Sequence, residues 1–304
     1  MSIEQNTPCI AATGLTRRFG RTYALNNLSF SVAGGQIIGL LGRNGAGKST
    51  LLRILSGQLK QNEGELSLFG MPVFDNAAAL GELCLIGDTP DFGKLGHIKD
   101  FFEVMQSMFP AWSMQEALRL AERFELPQNR AIKGFSRGMQ TSLLLCAGLA
   151  SGARLTVFDE PSLGLDAVMR ERFYDLLLDA RKAQPERTFL LSTHLIDEVA
   201  RVLDYAVLIN HGELLCEGSL AELTQNYISV SGAPDALRAA TEGCKVLREE
   251  EVAGSLVRYL HVKDAEEKAR VLGAEGVQGA NVSLQRLFVF LTGETEAENH
   301  ADNA

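Results

Sequence analysis

The sequence predicts an α/β fold whose core is a mainly parallel sheet. In the first 220 residues, short apolar runs typical of strands covered on both faces alternate with segments of helical periodicity. Repeated strand–helix–strand units of this kind place the strands of one sheet parallel to each other. After residue 220 the alternation ends, and the pattern predicts a small α+β domain. The clearest strand-like runs are residues 36–41, 155–158 and 188–191.

Length and composition limit the classes of protein to which the chain can belong. Its 304 residues suffice for two domains, and 46% hydrophobic against 22% charged residues is typical of a folded globular protein. The net charge of −9 argues against a chain-wide polycation built to bind a nucleic-acid backbone, so no nucleic-acid partner is expected, although the charge is compatible with a local basic groove. The five scattered cysteines indicate neither a disulfide framework nor a zinc site. A polar N-terminus and the lack of an apolar run near 18 residues predict a cytoplasmic protein.

A glycine-rich turn follows the first apolar run. Residues 42–49 fit the pattern G-x-x-x-x-G-K-[ST] and lie between a strand and a helix predicted over 49–57. Glycines let backbone N–H groups wrap a polyphosphate, while the lysine bridges the β- and γ-phosphates and the serine hydroxyl holds Mg²⁺. The turn therefore predicts a nucleotide site. Its expected contact residues are Gly42, Arg43, Asn44, Gly45, Ala46, Gly47, Lys48, Ser49 and Thr50.

Two adjacent carboxylates, Asp159 and Glu160, end the second apolar run. Alone, such a pattern often marks only a strand that emerges into a polar loop. Beside a phosphate-binding loop the functional interpretation is favoured, with Asp159 reaching Mg²⁺ and Glu160 polarising the water that attacks the γ-phosphate. Neighbouring side chains on a strand point in opposite directions, so the two carboxylates can hold different roles.

The remaining sequence predicts the domain organisation. Downstream patterns predict an all-helical stretch over 98–149 with a capping box at Ser113–Glu116, a hairpin over 246–262, a helix over 264–272 and a strand over 282–291. We expect a nucleotide-binding domain over 1–220 with a helical subdomain at about 98–150, an accessory domain over 221–292 and a disordered acidic tail over 293–304.

These motifs resemble, in their order and context, those of the ATP-binding cassette (ABC) ATPases. The resemblance implies the fold of a P-loop cassette, with an antiparallel β subdomain and a helical signature subdomain beside the parallel sheet. Within the family, the chain looks like the single-cassette ATPase subunits of bacterial exporters, more loosely through Phe109–Trp112. The likeness covers about residues 10–218 and is carried by 42–50, Phe158–Pro161, Leu163–Asp166 and Ser192–His194.

The resemblance implies roles for further residues. Phe19, with Tyr23 as its substitute, matches the aromatic residue that stacks on adenine. Ser136 and Gly138 match the signature motif, which binds the γ-phosphate of ATP held by the partner subunit. A serine ahead of a helix agrees with this role, because it caps the helix and directs N–H groups at an anion. His194 matches the histidine that contacts the γ-phosphate.

Two positions depart from the family pattern. The signature carries Arg137 where glycine is usual, which is compatible either with a contact to phosphate or with restricted closure of the dimer. The glutamine that helps hold Mg²⁺ and couples to the permease is replaced by Asp88. The shorter, charged side chain could serve as a metal ligand by closer approach or through water, so its metal role stays open.

The function implied by the resemblance is that of an ATPase subunit on the inner face of the cell membrane. Two copies, or this chain and a related one, would close head to tail on two ATP–Mg²⁺, with Asp166 in the loop that crosses the interface. Glu160, His194 and Lys48 are the expected catalytic residues. An integral-membrane permease is expected to dock near residues 88–112, whose many large apolar side chains also fit a packed helical core. The alternative function is a soluble, non-transport ABC ATPase with a regulatory role.

Overall fold

A computed structural model describes residues 7–87, 92, 95–252 and 254–292. These residues form two compact units. The first runs to Leu195 and adds Val202–Leu214, and the second combines Ile196–Arg201 with the chain from Leu215 onward. The acidic tail predicted over 293–304 lies outside the described residues. No helix in the described ranges has both the length and the apolar composition needed to cross a bilayer.

Strands and helices alternate along the first unit and recur in a different order in the second. The strands are β1 (Ile10–Phe19), β2 (Thr22–Val32), β3 (Ile37–Leu41), β4 (Glu63–Leu68), β5 (Met71–Pro72), β6 (Leu83–Ile86), β7 (Leu155–Asp159), β8 (Thr188–Thr193), β9 (Tyr205–Asn210), β10 (Glu213–Ser219), β11 (Tyr227–Gly232), β12 (Lys245–Val252), β13 (Ser255–His261) and β14 (Val277–Asn281). The helices are α1 (Lys48–Leu55), α2 (Ala77–Gly81), α3 (Ile98–Met108), α4 (Met114–Arg123), α5 (Arg137–Ala150), α6 (Ala167–Ala183), α7 (Ile196–Val199), α8 (Leu220–Gln225), α9 (Pro234–Ala240), α10 (Ala265–Leu272) and α11 (Leu284–Thr292).

The central sheet has the strand order β10-β9-β3-β8-β7-β6. The pairs β3–β8, β3–β9, β6–β7 and β7–β8 are all parallel. Every residue of β3 and β8 is buried, as expected of strands that are covered on both faces. The parallel core predicted from the apolar runs is therefore confirmed. Because these strands are parallel, the carboxyl ends of β3, β7 and β8 lie at one edge of the sheet.

A second sheet in the first unit is antiparallel and has the order β2-β1-β4-β5. Its inward side chains share one hydrophobic core with β3 and α1. Leu25 and Leu28 of β2 and Leu51 and Leu52 of α1 are among the fully or almost fully buried members. This packing fixes the phosphate-binding turn between β3 and α1, since both flanking elements are held in the same core.

Helices α3, α4 and α5 confirm the predicted helical stretch. On α3 the buried side chains include Phe101, Phe102 and Met105, and the ring of Phe102 lies 5.7 Å from that of Trp112. Most large apolar side chains of α3 are therefore packed in a helical core, which was the alternative to a permease-docking surface for residues 88–112.

The predicted capping box at the start of α4 is half present. The Ser113 hydroxyl accepts a hydrogen bond from the Glu116 N–H at 3.2 Å, so the N-cap is confirmed. The Glu116 carboxylate instead accepts hydrogen bonds from the Arg119 guanidinium at 2.6 and 2.7 Å. Arg119, three residues further toward the C-terminus of the helix, thus binds the Glu116 carboxylate, which in a capping box would accept from the backbone N–H of Ser113.

The second unit contains a sheet of order β12-β13-β11-β14, and its pairs β11–β13, β11–β14 and β12–β13 are antiparallel. With α9 after β11 and α10 after β13, the chain follows the β-α-β-β-α-β order of the split βαβ motif. Ile228, Leu237, Leu260 and Val271 belong to its separate core. The hairpin and the helix predicted for this region are confirmed.

The strand predicted over 282–291 is wrong, because Leu284–Thr292 forms helix α11. Leu284, Leu287, Phe288 and Val289 are its buried residues, and a spacing of three and four places the first three on one helical face. The Ser283 hydroxyl accepts a hydrogen bond from the Arg286 N–H at 3.3 Å, as at a helix start. The high content of aromatic and β-branched residues favoured a strand, but this periodicity and the serine favour the helix that forms.

Candidate active site

The phosphate-binding turn has a backbone that glycine permits. Gly47 has φ 106°, and a Cβ there would lie 2.5 Å from the carbonyl oxygen of Ala24. Lys48 begins α1, and its ammonium donates to the carbonyl oxygens of Gly42 at 2.6 Å and Arg43 at 3.3 Å. Burial lowers the pKa of Lys48, although the carboxylates of Glu160 and Asp159 oppose this effect. The turn therefore holds a nearly buried cation at the start of a helix, where an anionic ligand is favoured.

Glu160 is the point on which the other predicted groups converge. Its carboxylate lies 3.6 Å from the ammonium of Lys48 and 3.0 and 3.1 Å from Nδ1 of His194. The hydroxyl of Thr193 donates to its Oε2 at 3.0 Å. Glu160 also has φ 48°, in the left-handed region that non-glycine residues seldom adopt. Such a conformation persists where surrounding contacts determine it, and it occurs preferentially at functional sites.

Asp159 lies at the end of β7, beside Ser192 at the end of β8. The Ser192 hydroxyl donates to Oδ1 of Asp159 at 2.7 Å. A carboxylate and the hydroxyl of Ser49 are hard oxygen donors, which suit Mg²⁺. In the described residues no group of three or more histidine, cysteine, aspartate or glutamate side chains is placed to hold a metal ion. Asp159 and Ser49 as oxygen donors fit Mg²⁺, which usually takes its other ligands from substrate phosphates and water.

The signature segment lies at the start of α5. The Ser136 hydroxyl accepts a hydrogen bond from the Met139 N–H at 3.3 Å, so it caps the helix as predicted. The helix start approaches the loop before α6, because a Cβ at Gly138 would lie 2.8 Å from the carbonyl oxygen of Gly164. The side chain of Arg137 lies beside the same glycine. Asp166 caps α6 through the Met169 N–H at 2.9 Å.

The aromatic residues expected to contact adenine lie on the hairpin between β1 and β2. Phe19 is 47% exposed and Tyr23 is 50% exposed, so both rings are available for stacking. The guanidinium of Arg17 lies 4.7 Å from the centre of the Phe19 ring, and that of Arg18 lies 5.9 Å from the Tyr23 ring. These cations lie close enough for a cation–π contact.

The structure brings four of the predicted side chains together, with the Gly42 and Arg43 carbonyl oxygens bound by one of them, Lys48. Lys48, Asp159, Glu160 and His194 meet at the carboxyl edge of the parallel strands. Phe19 lies at the end of β1 and Ser136 at the start of α5. Neither takes part in the hydrogen bonds described above for Glu160. Asp88, proposed as a metal ligand, lies outside the described residues.

Two hydroxyl residues at this edge were given no role by sequence reasoning. Ser192 and Thr193 are completely buried at the end of β8, and each donates to one of the two carboxylates that end β7. The signal that could have identified them is their place directly before His194, on a strand predicted to run parallel to the one ending in Asp159. Only the observed register shows which hydroxyl meets which carboxylate.

Comparisons with known proteins indicate the family of the chain. The family model described as ABC transporter matches residues 25–163. The Nod factor export ATP-binding protein I of Burkholderia lata is 31% identical over 296 residues, covering 91% of this chain and 94% of that protein. The chain belongs to the ATP-binding cassette family. It is accordingly an ATPase and the ATP-binding subunit of an ABC transporter.

Solved ABC cassettes share the fold. An ATP-binding subunit of an ABC transporter superposes with a TM-score of 0.64 at 23% identity and covers 71% of this chain and 92% of its own. A dimeric ABC cassette in a post-hydrolysis state, bound to ADP and Pi, gives a TM-score of 0.60 at 20% identity, covering 69% of this chain and 98% of its own. The parallel core, the antiparallel sheet and the helical region are thus those of an ABC cassette.

Proposed function

We propose that this chain powers export through a separate membrane permease by closing with a second cassette on two ATP molecules. The observation that carries the proposal is the convergence of Lys48, His194 and Thr193 on the carboxylate of Glu160. A nearly buried ammonium, a histidine and a carboxylate at one edge of a parallel sheet supply what phosphoryl transfer to water requires. The direction of transport rests on relatives named for Nod factor export.

In the proposed reaction, Lys48 leaves the loop carbonyls and bridges the β- and γ-phosphates. Glu160 accepts a proton from the water that attacks the γ-phosphorus, while the bond to the β-phosphate oxygen breaks and ADP leaves. His194 donates a hydrogen bond to a γ-phosphate oxygen. When bound, Mg²⁺ neutralises phosphate charge, and Ser49 and Asp159 are the residues that would hold it. The chain contributes position and electrostatics, without a covalent enzyme intermediate.

The second cassette completes the site through Ser136 and Gly138. The capped start of α5 exposes N–H groups and the positive end of the helix dipole, which suit the γ-phosphate of ATP on the facing subunit. A homodimer and a heterodimer of related cassettes satisfy this geometry equally. Arg137 is the first residue of α5, and its side chain lies beside Gly164. The proposed interface therefore contains a cation next to Ser136 and Gly138.

The dimer is tested with Glu160→Gln, which blocks turnover and retains bound ATP. We expect light scattering to show an ATP-dependent dimer of this variant. Adding Ser136→Arg places a bulky cation at the helix start and abolishes the dimer. The matched control is Ser113→Arg, because Ser113 is also an exposed N-cap, at the start of α4. A Ser136→Arg protein that dimerises as readily as the control would contradict the proposed interface.

The permease is proposed to dock on α3. Val104 and Met108 lie one turn apart on this helix and are 43% and 64% exposed, although the rest of its apolar face is buried. An exposed apolar pair one turn apart can serve as an anchor for a partner helix. The subunit would then lie at the inner face of the membrane, bound to a protein rather than to lipid.

Cell fractionation tests this docking surface. We expect Met108→Glu to move the subunit from the membrane fraction to the soluble fraction while the purified subunit keeps its ATPase activity. Val252→Glu is the control, since Val252 is 54% exposed on β12 of the second unit. If the unmodified chain stays soluble whether or not a permease is present, a non-transport, regulatory ABC ATPase is the better function. The accessory domain over 221–292 stays a prediction without an assigned role.

A further inference from the structure

We propose that Thr193 is a positioning residue that holds Glu160 in its reactive orientation. The inference rests on the proposed role of Glu160 as the group that accepts the proton of water. It goes further by assigning a task to the Thr193 hydroxyl, which lies within the Ser192–His194 motif, where only His194 has been given a role so far. Thr193 acts through Glu160 and is not expected to touch ATP.

The hydrogen bonds of Thr193 fix the direction of its single hydroxyl proton. The Leu195 N–H donates to the Thr193 oxygen at 3.1 Å, which leaves the hydroxyl proton for Oε2 of Glu160 at 3.0 Å. Thr193 is completely buried, so solvent does not compete for its hydroxyl, although the Glu160 side chain is 25% exposed. A hydrogen bond to a charged carboxylate in such surroundings is among the stronger ones in proteins.

The register of β7 and β8 gives each carboxylate its own hydroxyl. Asp159 is the register partner of Ser192, and the backbone N–H of Glu160 donates to the Ser192 carbonyl at 2.8 Å. Consecutive side chains on β8 point to opposite faces, so Ser192 reaches Asp159 and Thr193 reaches Glu160. One strand end thereby holds a metal-binding carboxylate and a proton-accepting carboxylate in separate directions.

Thr193 is also the neighbour of Glu160 that can stay in place during the reaction. Among the described residues, Lys48 and His194 also contact the Glu160 carboxylate, and both are proposed to contact phosphate when ATP binds. The Thr193 side chain is anchored in a buried strand and is not expected to make such a contact. It therefore keeps the Glu160 carboxylate fixed, even though Glu160 has the uncommon φ of 48°.

The test is Thr193→Val in the full chain, which keeps the side-chain shape and removes the hydroxyl. We expect kcat for ATP hydrolysis to fall about tenfold to a hundredfold, the range for losing one hydrogen bond to a charged group. The Kd for MgATP is expected to stay within about twofold, because Thr193 does not contact the nucleotide. Thr193→Ser restores the hydroxyl and is expected to recover most of kcat. If valine prevents folding, Thr193→Ala and Thr193→Ser provide the same comparison.

Thr188→Val is the matched control. Thr188 is on the same strand and is also completely buried, and its hydroxyl accepts a hydrogen bond from the Gly35 N–H at 2.9 Å. This variant removes a buried acceptor of a backbone N–H, as Thr193→Val does for Leu195, but it leaves Glu160 unaffected, so we expect a lower melting temperature with kcat unchanged. A general effect of lost stability would instead lower kcat in both variants.

Two results would overturn the inference. The first is a kcat for Thr193→Val equal to that of the unmodified chain. The second is a kcat for Thr193→Ser as low as that for Thr193→Val, which would mean that the hydroxyl is not responsible. Failure of the proposed function can be distinguished from failure of this inference. If Glu160 does not accept the proton, Glu160→Gln continues to hydrolyse ATP, independently of the results for the Thr193 variants.

Discussion

The two units of the chain use charged side chains in different ways. At the edge of the parallel sheet in the first unit, polar and charged groups from separate elements meet at buried or half-buried positions, as Lys48, Glu160 and His194 do. In the second unit, the antiparallel sheet pairs charges locally, as in the contact of Arg258 with Glu249 across β12 and β13. The difference follows from topology, because parallel strands end at one edge and antiparallel strands do not.

The largest effect expected from this comparison concerns two arginines. Arg187 is 5% exposed and donates to the backbone carbonyls of Gly148, Leu149 and Ala153 and to three side chains, thereby capping the end of α5. We expect Arg187→Leu to lower the free energy of unfolding by about 3 kcal/mol, because several buried acceptors lose their donor.

The comparison variant for Arg187 is Arg258→Leu in the second unit. Its partners are Glu249 and Thr241, and its side chain is 15% exposed. Since the Glu249 carboxylate is 40% exposed and the buried Thr241 hydroxyl also donates to the Leu237 carbonyl, we expect a loss of about 1 kcal/mol. Urea unfolding of both variants measures the difference. Equal losses in the free energy of unfolding would show that the buried hydrogen bonds of Arg187 stabilise the protein no more than the more exposed contacts of Arg258.

The next effect concerns two lysines whose ammonium groups are held by oxygen atoms. Lys48→Met is expected to weaken ATP binding about tenfold to a hundredfold, because a charge-assisted contact to phosphate is lost. Lys268 of the second unit donates to the Gln225 carbonyl at 3.0 Å and to Asn281 at 3.1 Å. Lys268→Met is therefore expected to leave ATP affinity unchanged in a calorimetric titration. An equal loss of ATP affinity in both variants would contradict a nucleotide site at the turn between β3 and α1.

The smallest effect concerns two phenylalanines that each have an arginine over the ring. Phe19→Ala is expected to weaken ATP binding about fivefold to tenfold, since one base-stacking surface is lost. Phe290 lies beneath Arg248 at 5.9 Å and packs on Tyr259, so Phe290→Ala serves as the control without a nucleotide effect. If Tyr23→Ala weakens binding and Phe19→Ala does not, the substitute aromatic residue is the stacking platform.

Sequence patterns were sufficient to predict the structure where one local signal determines it. The glycine-rich turn between an apolar strand and a helix predicted the surroundings of Lys48, and the apolar run before Asp159 predicted β7. Both elements depend on short-range spacing and on burial on both faces, which the sequence displays directly. The fold of the first unit was therefore predictable to the level of its central strands.

Patterns failed where tertiary contacts decide between alternatives. The run over 282–291 is rich in residues that favour strands, yet it forms α11, whose buried residues pack in the second unit. The pairing of Ser192 with Asp159 and of Thr193 with Glu160 depends on strand register, which no single strand encodes. The left-handed backbone of Glu160 was likewise not readable from residue type.

The central claim is that Glu160 accepts a proton from the attacking water while other groups bind the nucleotide. The most direct test measures the hydrolysis rate and the Kd for MgATP of Glu160→Gln side by side. We expect the rate to fall about a hundredfold to ten-thousandfold, the range for loss of a general base, with MgATP bound as tightly as by the unmodified chain. A Glu160→Gln protein that hydrolyses ATP at the unmodified rate would contradict the account.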